Sequence, residues 1–250
     1  MRLYIDENKT IGEIGEMLDL SQAAIYDRLV RLGVSTCRRQ KEHSDNRRSD
    51  VKIPAARSER LAEFFGVMLG DGHVSHFQTM VTLGTKEAAY ARYVSALIKE
   101  IFGGVPKIMT SARGHTTVYL GSTRVTAWLK EEGLVGNKVL AQVGVPTWVT
   151  EKRRYMNAFI RGFFDTDGSV YRLRYGIQIS LCNSSVPLLV SLQSMLRELG
   201  YSPSAISAHK VYVTKIRDVE RFFREVRPMN PKHTRRYDGF ARRWRSSKRT

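Results

Sequence analysis

Ala62-Glu63-Phe64-Phe65-Gly66-Val67-Met68-Leu69-Gly70-Asp71-Gly72 and Ala158-Phe159-Ile160-Arg161-Gly162-Phe163-Phe164-Asp165-Thr166-Asp167-Gly168 are two versions of one phrase. Each is an apolar, helix-like run with a small residue in its middle, closed by Asp-Gly. Gly66 and Gly70 lie four apart and so share one helical face, and Gly162 and Thr166 hold the same places in the second copy. A stripe of small residues lets another backbone come close, which follows from sterics alone. Pairing along these stripes brings the two helix ends together and sets Asp71 beside Asp167 near a pseudo-twofold axis. Gly72 and Gly168 suit the position after a helix end, where a left-handed backbone is common.

Two carboxylates side by side, each at the negative end of a helix dipole, repel one another. A sequence selected for stability alone would not place them so. A hard divalent cation such as Mg²⁺ or Mn²⁺ resolves the repulsion, because it takes carboxylate oxygens and keeps waters. Phosphates then complete its coordination, which is a known route to phosphodiester hydrolysis. One Asp-Gly alone would read as a plain helix stop. Two in register, within matching flanks, read as a site with Asp71 and Asp167 as its acids.

The rest of the composition names the partner. Of 250 residues, 41 are Lys or Arg and 24 are Asp or Glu, a formal charge of +17. Such a surplus repels itself unless a polyanion is bound, and nucleic acid leads the candidates. The chain is long enough for one large domain or two smaller ones, and 42% hydrophobic residues suffice for a core. No run approaches the length of a membrane span, and no charged-then-apolar leader opens the chain. The expectation is a cytoplasmic (nucleoid-associated) or organellar-matrix protein, not a secreted one, with neither a membrane nor a small molecule as partner. Cys37 and Cys182 make neither a zinc site nor a disulfide framework. His73 and His76 read as surface or strand residues.

Five segments follow along the chain. Residues 1–35 form a small unit. Thr10 caps a stripe of Ile11, Ile14, Met17 and Leu18, and Ser21 caps a second helix with Ile25, Leu29 and Leu32. This resembles a helix-turn-helix, with Gln22, Tyr26 and Arg28 among the residues facing a groove. Residues 1–9 are too short for a comfortable third helix. Residues 36–57 carry seven Lys/Arg against three Asp/Glu and read as a basic linker. Residues 58–148 and 149–231 repeat helix-strand-strand-helix-strand-strand-helix. In the second half the strands are expected near 169–174, 176–181, 204–207 and 211–214. Residues 232–250 form a basic tail with interleaved aromatics, either a disordered run or a phosphate-holding segment.

Phe64–Gly72 and Ile160–Gly168 resemble the two motifs of the LAGLIDADG homing endonucleases, and Tyr155–Gly168 is especially similar. The first copy departs in having Leu69 where the family often has Asp and Gly70 where it has Ala. Neither position is the catalytic one. The resemblance covers about Ser58–Val226. It implies an α+β fold of two pseudo-symmetric αββαββα halves, each with a four-stranded sheet, forming a saddle over double-stranded DNA. It also implies a monomer that cuts both strands of a long asymmetric site. The helix-turn-helix-like unit is similar to appendages that some members carry. In such sheets side chains alternate between faces. Gln78 and Thr82 in one half, and Arg172, Arg174, Gln178 and Ser180 in the other, are candidates for facing the groove and reading bases. The resemblance further implies polar or basic residues near the metals, for which Lys86 and Asn183 are candidates. The backbone carbonyls of Gly70 and Thr166 are candidate metal ligands beside Asp71 and Asp167. An alternative is a catalytically inactive relative that binds DNA or RNA as a transcription regulator or intron maturase. The presence of both acids favours the nuclease. An intein origin is disfavoured by the opening Met1-Arg2 and the lack of a terminal His-Asn.

Overall fold

The computed structural model describes residues 2–7, 9–34, 48, 50–134, 138 and 141–247, with the side chains of 243–247 outside the description. Cys37 and most of the expected basic linker lie outside the described residues. The chain divides into two compact units, Met1–Asp45 and Asn46–Thr250.

The first unit holds α1 (Arg2–Ile5), α2 (Ile11–Leu18) and α3 (Gln22–Arg31). Thr10 and Glu13 form a reciprocal capping box, with Glu13 N donating to Thr10 Oγ1 at 3.0 Å and Thr10 N donating to Glu13 Oε2 at 2.6 Å. Ser21 Oγ accepts from Ala24 N at 3.2 Å and starts α3. Ile14, Ile25 and Leu29 make the core, with Leu3, Tyr4 and Ile11 packed against it. Met17, Leu18 and Leu32, expected on the apolar stripes, are exposed instead, because so small a core closes on few side chains. The segment before α2, expected to be too short for a helix, makes one turn of it.

The second unit begins with α4 (Glu59–Leu69), β1 (Gly72–Val74), β2 (Gln78–Leu83), α5 (Ala88–Phe102), β3 (Lys107–Thr110), β4 (Thr116–Gly121) and α6 (Thr123–Glu131). A short α7 (Thr147–Thr150) leads into α8 (Arg153–Asp167), β5 (Gly168–Leu173), β6 (Gly176–Cys182), α9 (Val186–Glu198), β7 (Lys210–Val213), α10 (Ile216–Glu225) and α11 (Pro231–Ser247). Both sheets are antiparallel, in the orders β1-β2-β4-β3 and β5-β6-β7. Val81, Leu83, Val118 and Leu120 in the first sheet, and Ile177, Ile179, Val211 and Val213 in the second, are buried and alternate with outward residues. The architecture is α+β.

Two segments differ from the sequence reading. The strand expected near 204–207 is reduced to isolated bridges, Pro203 with Val213 and Ser207 with Lys210. Pro203 has no N–H to give a ladder, and the chain turns tightly through Ala208 and His209, both at positive φ. The second sheet therefore has three strands, not four. Residues 232–247 of the expected basic tail lie in the helix α11, which opens at Pro231, a residue preorganised for a first turn. Tyr237 stacks on Phe223 with ring centroids 4.0 Å apart, and Phe240 packs against the core. These aromatics give the basic segment an apolar face to bury. Among the described residues, no helix is long and apolar enough to cross a membrane.

Candidate metal centre and nucleic-acid face

Helices α4 and α8 pack against each other through their small residues. A Cβ on Gly66 would run into the Phe159 carbonyl oxygen, and one on Gly162 into the Glu63 carbonyl oxygen. At Gly70 the obstacle is the Thr166 hydroxyl, which donates to Gly162 O at 3.2 Å and Phe163 O at 2.9 Å in its own helix. The fully buried Glu63 carboxylate clamps the pair partway along. It meets Arg161 at 2.8 Å, Arg60 at 3.5 Å and the Tyr93 hydroxyl. Neither Gly72 nor Gly168 has the left-handed backbone expected after a helix end; Gly168 sits at φ −87°. They are glycines for closeness. A Cβ on Gly72 would strike the Met68 backbone, and one on Gly168 the Phe164 backbone, so β1 and β5 could not turn back beside their helices.

This packing carries Asp71 and Asp167 to one place. Burial raises the Asp71 carboxyl above its ordinary value, opposed by the charges of Lys232 and Lys138. Burial, reinforced by the Asp71 charge, pushes Asp167 up to about 6. Asn183 Nδ2 donates to Asp167 Oδ2 at 3.0 Å and works in the other direction. Two ammonium groups meet the helix ends. Lys138 Nζ donates to the carbonyls of Met68 at 2.9 Å, Leu69 at 3.3 Å and Gly70 at 2.5 Å. Lys232 Nζ donates to the Thr166 carbonyl at 3.4 Å and pairs with Glu87 Oε1 at 2.8 Å. Cations here complement the negative ends of both dipoles. Burial lowers the Lys138 pKa, while Asp167 and Asp71 raise it.

The donor set suits a hard divalent cation. Two mutually repelling carboxylates converge, and the carbonyls of Gly70 and Thr166 already attract positive nitrogen atoms. Among the described residues no group of three His, Cys, Asp or Glu gathers as a metal cage. Mg²⁺ does not need one, since it binds through one or two carboxylates and keeps several waters.

Of the other candidates, Asn183 touches Asp167, whereas Lys86 is exposed and its neighbour Glu87 enters the site. Lys138, Lys232, Glu87 and Asn230 escaped the sequence reading. Their only signal is an Asn shortly before a Lys at the end of each half, Asn137 with Lys138 and Asn230 with Lys232. Gln78 and Thr82 lie on the outward face of the first sheet with Lys107, Thr117 and Tyr119. Gln178 and Ser180 lie on the outward face of the second, opposite Tyr171 and Ser169, although Ser180 itself is buried. Arg172 pairs with Ile177 and belongs to the other face by register, one residue off the expected alternation. Arg174 sits in the following turn, its guanidinium 5.0 Å from the Tyr175 ring centroid. Strict alternation from Gly168 would have found Tyr171. Gln22, Tyr26 and Arg28 are all exposed on α3, and His73 and His76 are exposed too.

Residues 154–227, most of the second half, match the family model of the LAGLIDADG-like domain. A curated relative, the replication factor C small subunit of Methanocaldococcus jannaschii, is 26% identical over 115 residues. That match spans 45% of this chain and only 6% of the relative. The N-terminal LAGLIDADG domain of WhiA aligns with TM-score 0.48 and 17% identity, covering 70% of this chain and 86% of that one. The structure of I-DmoI in complex with DNA and Mn aligns with TM-score 0.46 and 16% identity, covering 67% and 96%.

Proposed function

We propose that the chain is a site-specific homing endonuclease that makes a metal-dependent double-strand break in a long DNA target. The convergence of Asp71 and Asp167 at the end of the paired helices carries this reading. Burial and mutual repulsion make that arrangement costly without a cation. The LAGLIDADG-like second half and the formal charge of +17 support it.

Asp71 and Asp167 would hold Mg²⁺ or Mn²⁺, with the carbonyls of Gly70 and Thr166 as further ligands. Once bound, such an ion supplies Lewis acidity to a scissile phosphate and acidity to a water. Asn183 fixes the Asp167 carboxylate by its hydrogen bond. Lys138 and Lys232 bring two positive charges to the place where phosphate charge develops. The outward faces of the two sheets, with Gln78, Thr82, Lys107 and Tyr119 in one and Tyr171, Gln178 and Lys210 in the other, offer polar and aromatic groups to a duplex. The unit carrying α3 adds a second contact through Gln22, Tyr26 and Arg28. The protein acts as a monomer where DNA is housed, in the nucleoid or an organellar matrix.

A second reading has one observation in its favour. Lys138 and Lys232 already neutralise the helix ends, as they would in a DNA-binding relative that no longer cuts. Mg²⁺-dependent cleavage of a randomised duplex library separates the two, with the doubly substituted Asp71→Asn, Asp167→Asn chain as control. A defined set of cut sequences that vanishes in the control is expected. Retention of DNA without Mg²⁺-dependent cuts would establish the binding-only reading.

A further inference from the structure

We propose that Asp165, through Asn230, is a positioning residue that aims the Lys232 ammonium at the Asp71–Asp167 pair. This rests on the nuclease reading for its catalytic consequence but not for its geometry. Asp165 lies in α8 with no exposed surface. Its carboxylate accepts the amide of Met229 at 2.9 Å on Oδ2 and the amide of Asn230 at 3.0 Å on Oδ1. An acid is costly at such a place, and the helix pair does not require one, because Leu69 is buried at the same position of the first copy. The acid is thus explained by the turn it holds rather than by the packing of α8.

That turn leads straight to the lysine. Asn230 is buried, and its Nδ2 donates to Glu87 Oε1 at 2.6 Å and to the Asp165 carbonyl at 2.9 Å. Its Oδ1 accepts from Lys232 N at 3.2 Å, which fixes the first turn of α11. Glu87 Oε1 also meets Lys232 Nζ at 2.8 Å, and Glu87 Oε2 accepts from Gly84 N at 2.7 Å. Both ends of the lysine, its backbone and its ammonium, therefore refer back to one set of fixed bonds. The set joins the start of α5 in the first half to the end of α8 in the second. A group that must meet a phosphate within a fraction of an ångström gains from such fixing, since misplacement by about 1 Å costs about a hundredfold in rate.

The test uses the full chain, unsubstituted and as Asp165→Asn, Asn230→Ala and Lys232→Ala, each checked for cooperative melting. Lysines are ¹³C-dimethylated, which retains their charge, and the Lys232 methyl signal is assigned from its loss in Lys232→Ala. In the unsubstituted chain this signal is expected away from that of exposed lysines, and in Asp165→Asn and Asn230→Ala it moves toward them. Single-turnover cleavage of the selected duplex with Mg²⁺ is expected to slow by about a hundredfold on one strand, with DNA Kd unchanged. In the Lys232→Ala background, Asp165→Asn is expected to add no further loss. An unmoved lysine signal overturns the proposal, and so does an equal further loss in the Lys232→Ala background, which would mark Asp165 as a folding clamp. If Asp165→Asn does not fold, Asn230→Ala carries the same readings. Should the unsubstituted chain cut no DNA, the lysine signal alone decides the positioning, and only the nuclease reading fails.

Discussion

The two halves of the second unit share one phrase and surround it differently. In the first half α4 ends at Leu69, and Asp71 lies past the capping Gly70. In the second, α8 runs through Asp167 itself, and Asn183 holds that carboxylate. The first half supplies its lysine from the connection between halves, with Lys138 anchored directly on three carbonyls. The second supplies Lys232 from the start of α11 and fixes it through Asp165, Asn230 and Glu87. The first sheet has four strands and the second three. What stays alike is the strip where the helices touch. There one added methyl group meets a backbone carbonyl from the opposite helix, so neither copy can drift. Away from that strip each half could find its own way of bringing a cation to a helix end.

Breaking the shared part should have the largest effect. Asp71→Asn or Asp167→Asn is expected to remove cleavage of both strands, by about 10³-fold or more, while Kd for DNA holds. Normal cutting by either single variant would mean that the acids do not act as a pair. Breaking the unlike parts should give unlike results. Lys138→Ala and Lys232→Ala are each expected to cost about 10²-fold, but on opposite strands, so that each turns a cutter into a nickase. Strand-resolved product analysis reads this, and equal slowing of both strands by each variant would erase the distinction drawn between the halves.

The interface glycines test stability rather than chemistry. Gly66→Ala and Gly162→Ala each face a carbonyl oxygen and should cost about 1–3 kcal/mol, occasionally more, in urea denaturation. Gly70→Ala faces the Thr166 side chain and should cost less, because part of the obstacle, the hydroxyl, can be removed by Thr166→Ala. The smallest effect is on pH dependence. Asp167 titrates at about 6 in the folded chain, above its unfolded value. The metal-free native state therefore binds more protons than the unfolded state between about pH 4 and 6, and stability falls as pH rises through that window. Melting of the unsubstituted chain against Asp167→Asn should show the variant gaining its advantage between about pH 4 and 6. Mg²⁺ should raise Tm more at the higher pH, because it binds the deprotonated pair.

Much of this was legible in the residues. The doubled phrase, the order of elements in the first half and the +17 charge led to the α+β halves and to Asp71 and Asp167 as the acids. Elsewhere the local signals are weak. Arg172, expected to face the groove, lies on the other face by register, since a one-residue shift inverts a strand. Lys86, a candidate for the site, is exposed, while its neighbour Glu87 turns inward. Residues 204–207 alternate like a strand, but Pro203 and the turn at Ala208 and His209 leave only isolated bridges. The tail hid its helix because its apolar side chains, Tyr237 and Phe240, are sparse in linear order and gather on one face only when wound.

The sequence by itself determined where the two helices touch and which acids end them. Glycine spacing and an Asp-Gly close are local facts, and sterics and the helix period turn them into geometry. Only the tertiary structure decided what surrounds those acids. Lys138, Lys232, Glu87 and Asn230 come from separate segments, and a charge acts across space according to distance and burial, which sequence order does not record.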